Sequence, residues 1–328
     1  MKKRTSSIPN SMRLTQLVWV IACLSCHSIE MPIQACPSSQ GEGPSAEKSH
    51  GFPTFPVGNA PIAIAFDGTA VWVANYSGNS VTRLRSSDGS RLGTFPVGTH
   101  PIALCSDASE MWVVNGDGGS LMELRGNRGA LLGTFDVGLR PRGILCDGSN
   151  IWVAIEGSNS VTKLRASDGA VLGVYPAGEN PSELTTDGTN IWITNNMKGG
   201  TVTELEEDGR KVGEFATGDF PFGIVFDGEN IWVANAGSKD ITELRASDGK
   251  LLGTFPTGGS TFGIAFDGSN IWVVNRDVGN VRKLRARDGA ELQSFMLGNS
   301  PAGIAFDGSS MWIVLEGANS VVKIPANR

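Results

Sequence analysis

Residues 221–260 read PFGIVFDGEN IWVANAGSKD ITELRASDGK LLGTFPTGGS. The stretch divides into four short apolar segments, PFGIVFD, IWVANA, DITELRA and KLLGTFPTG. Alternation such as Ile224/Phe226 marks half-buried strands. Asp227-Gly228 and Asp248-Gly249 supply the chemistry of tight hairpin turns. No segment carries a sustained 3.6-residue apolar stripe, so the unit is four antiparallel strands without a helix.

Outward from Trp232 the unit repeats. Tryptophans stand at 72, 112, 152, 192, 232, 272 and 312, a period of 40 residues, which marks a repeat architecture. Five residues before each is an Asp, from Asp67 to Asp307. Eleven before is Pro in six copies and Thr261 in the other, and three after is Asn in five: Asn75, Asn115, Asn195, Asn235 and Asn275. Four strands per such period is one blade of a β-propeller, and seven copies predict a seven-bladed one. The last copy ends at NSVVKIPANR without a fourth strand. Phe52–Gly58 (FPTFPVG) duplicates the fourth-strand motif TFPVG of 94–98. The all-β fold is therefore expected to close by pairing its N-terminal strand with its C-terminal blade, which removes the exposed edge of an open ring.

The chain has 328 residues, 40% apolar and 18% charged, with 43 glycines and 16 prolines, a composition suited to many strands and tight turns. Residues 1–28 read as an export signal. Lys2, Lys3, Arg4 and Arg13 precede an apolar run from Leu14 to Leu24, too short to span a bilayer. Val20-Ile21-Ala22-Cys23 resembles a bacterial lipobox, which makes Cys23 the candidate lipidated residue, Cys26 a poorer one, and ordinary cleavage near residue 28 the alternative. Residues 29–51 are polar and rich in Pro, Ser and Gly, as in a tether, and 52–328 form the propeller. The expected location is outside the cytoplasm, as an envelope lipoprotein or a periplasmic or secreted protein, with a lipid anchor as the sole membrane contact. Removing residues 1–22 moves the net charge from −6 to −10, which disfavours nucleic acid.

Cys105 and Cys146 fall in neighbouring repeats, one register position apart. A disulfide needs Cα atoms within about 6.8 Å, while packed sheets lie about 10 Å apart, so two buried free thiols are expected.

The pattern VGxxPxGIAFDG…IWVANxGSxxVTxLRASDGxxLGTFPVG resembles the YVTN and NHL repeat propellers of exported bacterial proteins, with WVAN in place of YVTN. The likeness covers residues 52–328 and implies a seven-bladed fold. It is silent on activity, since such propellers include binders, sensors and a few enzymes.

A residue recurring in every blade serves the blade, so a site is sought where the repeat breaks. The seven Asp residues read as turn formers capping backbone N–H groups, the seven Trp as core, and the column Arg85, Arg125, Arg165, Arg245, Arg285 as a solvated stripe. Just after the strand-one Pro come Ile62, Ile102, Arg142, Ser182, Phe222, Phe262 and Ala302, expected to ring the channel mouth. The next position is Ala or Gly except at Glu183. Arg140, Arg142, Glu183, Phe222, Phe262 and Arg276 thus form the candidate ligand-binding set. One reading is an asymmetric pocket, with Arg142 for a carboxylate or phosphate and Glu183 for a cation or hydroxyl. The other is that Arg142 and Glu183 pair with one another while the Phe rings plug the channel.

Repeat length and phase are also similar to virginiamycin B lyase-like propellers, which implies a catalytic His after the strand-one Pro and carboxylates ending W-F-T-E motifs. No His occupies that place here, and the Glu position is Asn in five blades and Ile155 or Leu315 in the others, with Glu156 and Glu316 one residue out of register. His100 is the one candidate general base in the propeller. Lactonase-type propellers imply a Glu, Asn, Asn, Asp metal set; the Asn column matches in part, and no Asp or Glu clearly completes it. No cofactor and no metal are expected, Ca or Mg being the alternatives. The sequence reading is thus a monomeric, non-enzymatic binding or scaffold propeller for a protein, glycan or small molecule. Asn75, Asn79, Asn195, Asn196 and Asn275 suit glycan contacts and plain turns alike. The alternative is a lyase-like or lactonase-like enzyme acting at the channel mouth.

Overall fold

The structure is a computed structural model, described here over residues 51–107 and 110–327; the expected signal, Cys23, Cys26 and all of the tether but Gly51 lie outside the described residues. Seven four-stranded antiparallel sheets follow one another along the chain. Each of blades one to six uses four consecutive strands, from Pro61–Phe66, Ala70–Asn75, Ser80–Arg85 and Arg91–Pro96 in blade one to Thr261–Phe266 through Glu291–Met296 in blade six. Blade seven takes Pro301–Phe306, Ser310–Leu315 and Ser320–Pro325, and its outer strand is Thr54–Pro56. Thr54 pairs with Val322, Phe55 with Val321 and Pro56 with Ser320. The expected ring closure is present.

Each second strand is buried nearly throughout, because both its faces meet a neighbouring blade. All seven Trp side chains are 0% exposed. One cluster shows the rule: Trp232, Ala234 and Ile241 of blade five pack on Ile264, Ile271, Val273 and Leu284 of blade six. An outer-strand aromatic rests on each Trp, Phe255 on Trp232 at 5.5 Å between centroids and Phe55 on Trp312 at 5.3 Å. The closing strand therefore supplies a core ring as well as a hydrogen-bonded edge.

Turn glycines fix the blade spacing. Gly249 has φ +67°, and a Cβ there would lie 1.9 Å from Cε1 of Phe215 in the preceding blade. Only glycine satisfies both demands.

The expectation of free thiols is corrected. Cys105 and Cys146 form a disulfide between the inner strands of blades two and three, with Cα atoms 5.8 Å apart. The 10 Å spacing applies to parallel-faced sheets, whereas propeller blades are wedges whose inner strands converge on the axis. Three residues earlier on the same strand a Cβ on Gly143 would stand 2.2 Å from the Ser182 carbonyl oxygen of the next blade.

Candidate functional site

The loops entering the inner strands and those joining strands two and three lie on one face. Ala60, His100, Arg140, Asn180, Phe220 and Ser300, each just before the strand-one Pro, take positive φ between 47° and 56°. A β-bulge follows the first residue of strand one, Pro or Thr261, in every blade. Around this mouth the breaks in sevenfold repetition resolve into four groups.

In blade three, Arg140 and Arg142 both bond to Glu156. Here Ile155 replaces the Asn that ends strand two elsewhere, and the chain turns into a 3-10 segment, Glu156–Ser158. The lost Asn and the gained Glu are therefore one change. Blade seven repeats it: Leu315 precedes the 3-10 segment Glu316–Ala318, and Glu316 pairs with Arg276 from blade six. The Arg276 guanidinium lies 5.4 Å from the centre of Phe262, and Phe262 stands 5.3 Å from Phe222. Sequence spacing alone had set Glu156 and Glu316 aside as out of register.

Glu183 does not pair with Arg142, which corrects that alternative. Its amide donates to Thr194 Oγ1 at 2.9 Å, and Thr194 Oγ1 donates to the Phe222 carbonyl of the next blade at 3.0 Å. Thr194 stands where the other blades carry Ala or Val, so blade four breaks the pattern twice at one point. The Glu183 carboxylate has no hydrogen-bond or ion-pair partner among the described residues, its counterparts in the ring being Ala63, Ala103, Gly143, Gly223, Gly263 and Gly303. Burial pushes its carboxyl up to about 7.

His100 stacks on Tyr76, centroids 4.1 Å apart and planes 9° from parallel. Its Nδ1 lies 2.5 Å from Asp117 Oδ2, a contact that fixes the ring and leaves Nε2 to face outward. Asp117 and Tyr76 were not among the residues singled out from sequence. Both come from strand-two–three loops, Asp117 from the blade that His100 enters and Tyr76 from the blade before it, and their approach to that entry loop is a tertiary fact.

The Asn column is structural. Asn75, Asn115, Asn195, Asn235 and Asn275 are fully buried; Asn195 Nδ2, for example, donates to Thr201 and Thr203 at 2.8 and 2.9 Å. Asn75, Asn195 and Asn275 are therefore not exposed glycan contacts, since each spends its amide tying strands two and three together. Asn79 Oδ1 accepts the His100 amide, and Asn196 Nδ2 donates to the Pro221 carbonyl. Among the described residues no three His, Cys, Asp or Glu side chains converge as metal ligands would.

No protein-family model matches the chain, and no curated protein matches it. Its fold is shared with solved structures. A Kuenenia stuttgartiensis hydrazine synthase chain matches at 18% identity and TM-score 0.73, over 87% of this chain and 99% of that one. A streptogramin B lyase matches at 20% and 0.72, over 83% and 96%. Virginiamycin B lyase from Staphylococcus aureus matches at 19% and 0.73, over 84% and 98%. At these identities what is shared is the seven-bladed propeller itself, with no family shown beyond it.

Proposed function

We infer that this chain is an exported ligand-binding propeller whose channel mouth takes a small amphipathic anion. One observation carries the reading: the polar and aromatic breaks on the inner strands, from Arg142 to Phe262, gather on blades three to six, while the inner strands across the mouth present Ile62, Ile102 and Ala302. Phe222 and Phe262 offer an apolar wall. Arg140 and Arg142 share a single carboxylate, Glu156, which leaves one positive charge for a carboxylate or phosphate. A small molecule fits better than a glycan because the Asn amides are consumed internally. Export is supported by the basic-then-apolar N-terminus with its lipobox-like Cys23, and by the Cys105–Cys146 disulfide, a bond kept in oxidising compartments.

The test is a thermal-shift screen of aromatic carboxylates on the purified propeller, followed by titration of the hits against Arg142→Ala and Phe222→Ala. Both variants are expected to weaken a genuine hit about tenfold, Arg142→Ala by the worth of one charge-assisted bond and Phe222→Ala by that of one aromatic contact. Hits that bind all three proteins equally overturn the site.

A second reading, an acid–base enzyme, is favoured by Glu183, an unpaired carboxylate held near neutrality in the channel, and by the His100–Asp117 pair. The two lyase neighbours make virginiamycin B the first substrate to assay. Its loss on incubation, abolished by Glu183→Gln or His100→Ala, establishes an enzyme; an unchanged substrate returns the chain to the binders.

A further inference from the structure

On the opposite face, one register position faces each blade's Trp across strands two and three. It holds Arg83, Glu123, Lys163, Glu204, Glu243, Lys283 and Lys323. In the four cationic blades the charge lies over the Trp ring, between 4.7 Å for Lys163 and 5.4 Å for Arg83. Three of these side chains also cross to the next blade. Lys163 Nζ donates to the Glu207 carbonyl at 2.8 Å, Lys283 Nζ to the Ala326 carbonyl at 2.6 Å, and Lys323 Nζ to the Ser86 carbonyl at 2.5 Å. Lys323 also lies 3.5 Å from Asp307, the carboxylate that holds the indole. In three blades an ammonium thus reaches the next blade's main chain, and in two of them, through Lys283 and Lys323, it also lies 3.9 and 3.5 Å from its own blade's Asp.

Blades two, four and five carry Glu instead, and a cavity opens beside the one in blade four. Glu204 is only 4% exposed and takes one hydrogen bond, from Asn190 Nδ2 at 2.6 Å. Burial first, and the charge of Asp187 second, push its carboxyl above the usual range. The counterpart of Glu207, Ala326 and Ser86 in blade five is Ala246, whose carbonyl accepts no hydrogen bond from the described residues. Between them lies a cavity of about 630 Å³ lined by Asp187, Asn190, Glu204, Phe215, Phe226 and Ala246, among others.

We propose that this cavity binds a primary alkylammonium, whose nitrogen takes the place that Nζ of Lys163, Lys283 and Lys323 takes in their own blades, donating to Asp187, Glu204 and the Ala246 carbonyl. Three N–H donors meet three acceptors. The cavity is far larger than an ion needs, and Phe215, Phe226 and Val212 give it an apolar wall for an aliphatic chain. Two side-chain carboxylates and one carbonyl suit an ammonium's hydrogen bonds; Glu229 and Asp248 also line the cavity, and among the described residues no three His, Cys, Asp or Glu side chains converge as a metal's ligands would. The site is independent of the channel mouth.

The experiment is calorimetric titration of the full chain at pH 8 with 1,5-diaminopentane, 1-aminopentane, 1-pentanol and calcium chloride. Both amines are expected to bind at a single site and the alcohol not at all. Glu204→Lys installs the protein's own ammonium, as in blade three; it should abolish amine binding while leaving the melting temperature unchanged or higher. Glu204→Gln should weaken binding about tenfold, the loss of one charged partner. No heat from either amine at millimolar concentration, equal binding by Glu204→Lys, or binding of calcium in preference to both amines overturns the proposal.

Discussion

The indole N–H of Trp232 donates to Oδ2 of Asp227 at 2.7 Å. Oδ1 of the same carboxylate accepts the amides of Glu229 and Asn230 at 2.9 and 2.7 Å. One aspartate thus shapes the turn between strands one and two and satisfies the sole polar atom of a fully buried Trp. The indole bond recurs in all seven blades, longest in blade two at 3.3 Å. Asp227→Ala leaves a buried indole donor unpaired and the turn uncapped, and is expected to cost roughly 3 kcal/mol. Urea unfolding checks it; a change below about 0.5 kcal/mol, the usual effect of a surface substitution, would mean that the bond is incidental.

The disulfide ties blades two and three at their inner edges. Replacing both Cys105 and Cys146 by Ser is expected to cost about 2–4 kcal/mol, the common range for a native cross-link. Reductant should bring wild type to the level of the variant. Unfolding midpoints that coincide without reductant would show that no bond forms.

Two carboxylates titrate near neutrality. Glu183 is pushed to about 7 by burial, and Glu243 to about 7 by burial and then by the charges of Asp227 and Glu229. A carboxyl raised in the folded state holds its proton more tightly there than in the unfolded chain. Both therefore stabilise as pH falls from about 7 toward the unfolded value near 4.5, and that gain is absent above 7. Melting temperature should rise between pH 8 and pH 5.5, and the double variant Glu183→Gln/Glu243→Gln should flatten the rise. A wild-type curve level across this interval would refute the shifts.

Glu156 neutralises part of the charge at the mouth. Glu156→Gln releases Arg140 and Arg142 together, so affinity for an aromatic carboxylate should increase, roughly five- to tenfold for one added full charge in a half-buried site. Titration of a screen hit against the variant measures it. Weaker binding would place Glu156 itself on the ligand.

The ring was legible because its determinants are periodic. The Trp, Asp and Pro columns recur every 40 residues, and the displaced fourth strand at 54–56 announced its own partner. Residues that broke the columns pointed to the mouth. What they touch there was hidden, because it depends on blades meeting at an angle. Glu156 looked misplaced until Ile155 was seen to end strand two in a 3-10 turn. Cys105 and Cys146 looked too far apart until the inner strands were seen to converge. Thr194 carries no signal except that Ala or Val stands in its place elsewhere, and only the fold shows its Oγ1 joining the Glu183 amide to the Phe222 carbonyl. The Asp column was half read: the turn caps follow from local spacing, whereas the indole bond requires the hairpin to fold back.

The pairing of Thr54 with Val322 also orders events in time. The strand synthesised first meets its partner last, so Thr54–Pro56 waits without a hydrogen-bonded neighbour until Ser320–Pro325 has been made. Contacts this remote in sequence make folding slow. Until the circle shuts, Thr54–Pro56 is an unguarded edge, and at three residues it offers a second chain little to pair with.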